Sequence, residues 1–107
     1  MDLVAVDIGG THARFVIASV ADDGGITLGE PETLHTKDHA SFQTAWEDFR
    51  ERQGGALPPR VSLSVAGPVG GPEHPDQLIR FTNNPWIIRP ALMEIKLGVE
   101  RWTIVND

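Results

Sequence analysis

Asp7-Ile8-Gly9-Gly10-Thr11-His12-Ala13-Arg14 is the stretch on which the fold turns. Leu3-Val4-Ala5-Val6 leads into it and Phe15-Val16-Ile17-Ala18 leads out. Both flanking runs are short and apolar, and the second is rich in β-branched residues, so each reads as a strand. Gly9-Gly10 between them makes the pair a hairpin. The glycines are expected to reach φ > 0 without steric cost. They also leave backbone N–H groups uncovered, so that a phosphate can approach closely. Thr11 adds a hydroxyl donor and Arg14 a charged one. Asp7 stands at the mouth of the turn, where its carboxylate would repel phosphates unless a cation stood between; it implies Mg²⁺ held through water. Gly-Gly alone between strands is far more often an ordinary turn than a phosphate site. The order strand, Asp, Gly-Gly-Thr, Arg, strand is what points to phosphate. The segment is no Walker loop, for it lacks Gly-Lys-Ser/Thr and a strand follows it.

Downstream, Asp22-Asp23-Gly24-Gly25 reads as a solvated turn. Ile26-Thr27-Leu28 and Thr33-Leu34-His35-Thr36 read as a third strand broken near Gly29-Glu30-Pro31. Ser41 is a helix N-cap. Phe42, Ala45, Trp46 and Phe49 then recur at helical period, a stripe for packing on a sheet. Gln53-Gly54-Gly55 ends that helix. In Arg60-Val61-Ser62-Leu63-Ser64-Val65-Ala66 apolar and small polar residues alternate, as in a strand with a buried face. Gly67-Pro68-Val69-Gly70-Gly71-Pro72 follows at the strand end where α/β folds place ligands; a rigid turn has the same composition. Leu78-Ile79-Arg80-Phe81 is a short strand, and Thr82-Asn83-Asn84-Pro85-Trp86 a turn whose amides can bind hydroxyls or close an Asx-turn. A second helix runs from Pro90 to Leu97, closed by Gly98. Arg101-Trp102-Thr103-Ile104-Val105 is the last strand and delivers Asn106-Asp107. A buried strand ending there should run on, so the chain is expected to be one domain of a longer protein.

Composition narrows the function. At 107 residues and 40% hydrophobic content the chain suffices for one core. A net charge of -6 argues against nucleic acid, whose phosphates want a basic face. It also makes nucleotide binding depend on glycine amides and a metal. There is no cysteine, hence no disulfide framework or thiolate metal site, which is consistent with a cytoplasmic setting. No signal peptide and no run of membrane-spanning length is seen, so no membrane partner is expected.

The order hairpin, third strand, helix, strand, helix, strand resembles the ribonuclease-H-like (actin-like ATPase) domain: α/β, a mixed five- to six-stranded sheet with two helices. The motifs resemble the bacterial glucokinase family in four segments. These are Val6 to Arg14, Ser64-Val65-Ala66-Gly67-Pro68-Val69, Phe81-Thr82-Asn83-Asn84-Pro85-Trp86, and Ile104-Val105-Asn106-Asp107. Gly-Gly-Thr is shared by many kinases; Thr-Asn-x-x-Trp followed by a strand ending in Asn-Asp is far more specific. The resemblance covers the whole chain but only about the first third of such a kinase.

By that resemblance the chain is the N-terminal domain of a two-domain enzyme that phosphorylates glucose at its 6-hydroxyl with Mg-ATP. Asp7, Ile8, Gly9, Gly10 and Thr11 would form the first phosphate loop for ATP, with His12 and Arg14 beside it and Asp7 toward Mg²⁺. Asn106 would bind glucose hydroxyls, and Asp107 would bind the sugar and act as general base. Gly67, Pro68 and Asn83 would shape the sugar side. Position 12 is often Asn in the family and is His here, which puts a direct His12 contact to phosphate in question. The remaining ligands would lie in the absent C-terminal domain, so the isolated chain should be inactive. A homodimer is expected. Two other readings stay open. One is an actin-like sugar-sensing regulator, although the first strand begins at Leu3 and leaves no room for a DNA-binding segment ahead of it. The other is a kinase for a different hexose or an N-acetyl sugar.

Overall fold

The strand β1 (Asp2–Ile8) pairs antiparallel with β2 (His12–Val20), in register from Asp2↔Ser19 to Ile8↔Ala13. The expected hairpin around Gly9-Gly10 is therefore present. The computed structural model describes residues 1–65, 79–80, 86–88, 93 and 96–106. Two short strands share the outer edge of β2: β3 (Ile26–Leu28) lies on residues 18–20 and β4 (Glu32–His35) on residues 12–15. These are the two halves of the broken third strand. Pro31, without an N–H, falls in the break. Thr36, expected to extend β4, instead begins a 3-10 turn, Thr36–Asp38.

The helix α1 (Phe42–Arg52) carries the chain across to β5 (Arg60–Val65), which lies parallel to β1. A parallel neighbour needs such a crossover, since a tight turn cannot reverse the chain twice. Ser41 caps the helix as expected: the Thr44 amide donates to Ser41 Oγ (3.2 Å) and the Ser41 amide to Thr44 Oγ1 (3.1 Å). At the far end Gly55 N–H donates to Arg50 C=O (3.0 Å) and Gly54 N–H to Glu51 C=O (3.1 Å). Gly54 has φ 94°, the left-handed cap that glycine supplies without strain. Ser41→Ala should cost about 1 kcal/mol, read from a urea midpoint.

Beyond β5 the two-residue strands β6 (Ile79–Arg80) and β7 (Ile87–Ile88) form a separate antiparallel pair. Residues 79–80 fall in the strand expected there; β7 was not expected, for two residues give no periodicity to read. Of the expected second helix, Met93, Lys96 and Leu97 are helical and the rest lies outside the described residues. Gly98 follows at φ 69°, closing it as expected. The last strand, β8 (Arg101–Asn106), runs parallel to β5. The main sheet is thus six-stranded and mixed, in the order β3-β2-β1-β5-β8 with β4 also on β2.

One face of this sheet is the core. Val4, Val6 and Ile8 of β1 and Val61, Leu63 and Val65 of β5 alternate inward and meet Phe42, Ala45, Trp46 and Phe49 of α1. Phe15 of β2 centres the aromatic packing, 5.3 Å from the Phe49 ring and 6.0 Å from Phe42. Trp86 joins the cluster and anchors through its indole N–H, which donates to His39 C=O (2.9 Å). The buried indole N–H of Trp46 has no acceptor among the described residues. Trp46→Phe should therefore cost less than about 2 kcal/mol, because no hydrogen bond is broken; a thermal melt checks it.

The outer face of α1 is charged. Arg52 forks onto Asp48 (Nε to Oδ1 3.0 Å) and reaches Glu32 of β4 (3.2 Å), while His39 Nε2 meets Asp48 Oδ2 at 2.9 Å. The Arg52 hydrogen bond first, and then that of His39, holds the Asp48 carboxyl below its ordinary value of 3.8. A lowered folded pKa stabilises above the unfolded value and is lost as the pH falls through the folded one. Asp48→Asn should therefore flatten the decline in melting temperature below about pH 4. The effect should be small, because these side chains are partly exposed.

Among the described residues no helix is long and apolar enough to cross a membrane.

Candidate phosphate and sugar site

The site is built at the end of the sheet where the parallel strands β1, β5 and β8 finish. Register places Thr33, Arg14, Asp7 and Ser64 in one row across β4, β2, β1 and β5. Residues in register share a face, so this polar row lies on the side opposite the apolar core. A groove of about 400 Å³ opens above it, lined by Asp7, Ile8, Gly9, Gly10, Thr11, His12, Arg14 and Thr33. Every residue expected in the phosphate loop lines this groove. Arg14 makes no ion pair among the described residues, which leaves its charge available to an anion.

The loop's backbone differs from expectation in one respect. The glycines at positive φ are Gly24, Gly54, Gly55 and Gly98; Gly9 and Gly10 are not among them. The Gly9 amide is also engaged, donating to His12 C=O (2.9 Å) and so continuing the hairpin ladder by one step. A Cβ on Gly9 would stand 3.7 Å from that carbonyl, an ordinary contact. Neither dihedral nor packing therefore demands glycine at position 9. What its absent side chain does is leave the groove bare. The amides of Gly10 and Thr11, by contrast, make no hydrogen bond among the described residues. These two are the donors the loop can offer.

Thr11 Oγ1 lies 2.8 Å from His12 Nδ1, and the His12 ring packs against His35 with centroids 4.5 Å apart. The imidazole thus has partners within the loop and on β4, and it braces the Thr11 hydroxyl at the groove. The loop's carbonyls are tied down from behind by Thr36. Its hydroxyl donates to Gly10 C=O (3.0 Å) and its N–H to Thr11 C=O (2.9 Å).

Ile8 pairs with Val65, and Val65 with Asn106. The backbone of Asn106 is therefore two strands, about 10 Å, from the start of the loop. Gly67, Pro68, Asn83 and Asp107 lie outside the described residues. Thr33, Ser64 and Thr36 were not expected at the site. Their part depends on strand register, and no local motif carries it. Among the described residues no three His, Asp or Glu side chains gather closely enough to hold a metal ion by themselves. A magnesium held by one carboxylate, water and phosphate oxygens needs no such gathering, and Asp7 at the groove fits that donor set.

Comparison with known proteins bears on these features together. A family model described as Glucokinase matches residues 3–107. The glucokinase of Zymomonas mobilis is 46% identical over 107 residues, covering 100% of this chain and 32% of that protein. The glucokinase of Brucella abortus is 40% identical over 101 residues, 94% of this chain and 27% of that protein. The chain thus spans about a third of the length of the curated relatives it matches. Among solved structures, a glucokinase from an Antarctic psychrotroph superposes with a TM-score of 0.84 over 99% of this chain and 32% of that one, at 24% identity.

Proposed function

The chain belongs to the glucokinase family, and on that footing we propose that it forms the first lobe of a longer enzyme. That enzyme transfers a phosphoryl group from Mg-ATP to the 6-hydroxyl of glucose. The observation that carries this reading is the pair of amides, Gly10 and Thr11, that make no hydrogen bond among the described residues and stand at the mouth of a groove that also holds Asp7 and Arg14. Gly10, Thr11 and Arg14 would hold phosphate oxygens. Asp7 would hold magnesium through water, and the metal would offset charge on the phosphates. Ile8 and Gly9 set the loop's start, and His12 steadies Thr11 without itself contacting phosphate. Asn106 would bind sugar hydroxyls, with Gly67, Pro68 and Asn83 shaping that side. Asp107 would accept the 6-hydroxyl proton as the bond to phosphorus forms.

Residues 1–107 are in this reading the small N-terminal domain, and a second domain closes the other wall of the cleft. Phosphoryl transfer is almost wholly positioning and charge stabilisation, so one wall alone should not catalyse it. The setting is cytoplasmic, where both substrates are present, and the protein is a homodimer. A coupled assay on the full-length protein with Mg-ATP tests the proposal. Glucose should be turned over in preference to other hexoses and N-acetyl sugars, and residues 1–107 alone should give no turnover. A preference for an N-acetyl sugar would overturn the substrate, and turnover by the isolated chain would overturn the two-walled cleft.

A further inference from the structure

Thr36 is the buried polar residue of the described fold, 3% exposed, yet it begins a 3-10 turn at the edge of the sheet. It lies 25 residues beyond Thr11 in sequence and meets the loop only because β4 pairs with β2 through His12↔His35. Its hydroxyl donates to Gly10 C=O (3.0 Å) and its amide to Thr11 C=O (2.9 Å). A trans peptide is planar, with its C=O and N–H pointing in opposite directions. The Gly10 carbonyl and the Thr11 amide belong to one such unit. Fixing the carbonyl on Thr36 therefore turns the Thr11 N–H the other way, and that N–H is one of the two donors without a partner in the described fold. The same bond keeps a partly negative carbonyl oxygen from turning toward an incoming anion.

We propose that Thr36 is a positioning residue for the phosphate loop, its hydroxyl fixing the peptide that presents the Thr11 amide to the phosphates of ATP. The inference rests on the phosphate-loop reading above and adds a residue outside the loop to it. A hydroxyl is needed and its methyl is not. Thr36→Val keeps the shape but removes the donor, and Thr36→Ser keeps the donor but removes the methyl.

Steady-state kinetics of the full-length protein, with ATP and glucose varied separately, tests the proposal. Thr36→Val should raise KM for Mg-ATP about three- to tenfold, the range expected for one lost hydrogen bond, and leave KM for glucose within about twofold. Thr36→Ser should return KM for ATP to near the wild-type value. Should the valine variant fail to fold, Thr36→Ala carries the same prediction with less crowding beside the carbonyl. A folded Val or Ala variant with unchanged KM for ATP would overturn the role, as would a Ser variant impaired as much as Val. So would a rise of equal size in both KM values, which marks a merely structural residue. Gly10→Val separates the two levels. If it raises KM for ATP while the Thr36 variants do nothing, the loop stands and Thr36 alone falls; if it leaves that KM unchanged, the loop reading falls and takes this inference with it.

Discussion

Asp107→Asn should lower kcat for glucose phosphorylation about 10²- to 10⁴-fold in the full-length protein, with the melting temperature unchanged. A primary hydroxyl is a poor nucleophile at neutral pH. A carboxylate within hydrogen-bond reach can take its proton in the transition state, and an amide of the same shape cannot. Strand β8 is held in register along β5 from Arg60↔Arg101 to Val65↔Asn106, so the backbone is anchored as far as Asn106. That anchoring brings the backbone of Asn106 to the same end of the sheet as the Gly9-Gly10-Thr11 loop. Kinetics beside a thermal melt check the prediction. Near-normal kcat in the Asn variant would remove Asp107 from the chemistry.

Phe49→Ala should destabilise the protein by about 3–5 kcal/mol, a large part of what a small domain has to lose. Phe49 is wholly buried in the last full turn of α1, its ring 5.3 Å from that of Phe15. Truncation would leave a cavity between the helix and β2, and neither element can close it without losing contacts elsewhere. The consequence reaches the groove, because β2 carries Arg14 and His12 and is paired to β4, which ends at His35 just before Thr36. A urea titration measures it. A cost under about 1 kcal/mol would show that the helix does not hold the sheet in the way described.

Much of this was legible in the sequence because the signals were local and repeated. Apolar runs on both sides of Gly9-Gly10 specified a hairpin. The stripe Phe42, Ala45, Trp46, Phe49 specified which helix face meets the sheet, and Ser41 and Gly54 marked the helix ends. What escaped was non-local or too short. Ile87 and Ile88 form a strand with only two residues, below any period. Thr36 looked like the end of a strand; its value comes from two hydrogen bonds to a loop 25 residues earlier, which no spacing rule encodes. The expectation of positive φ at Gly9 and Gly10 failed for a related reason. Gly-Gly between strands commonly signals a left-handed turn, but here the Gly9 amide extends the hairpin ladder and the chain closes without it. The glycines remain informative, as bare backbone at the groove.

Gly10 is where the assignment of this loop to phosphate is most exposed to test. In the full-length protein, Gly10→Val should raise KM for Mg-ATP by about tenfold or more while KM for glucose stays within about twofold, because a side chain there obstructs the approach of phosphate to the loop amides. An equal effect on both substrates, or an unchanged KM for ATP in a folded variant, would contradict the assignment of this loop to phosphate.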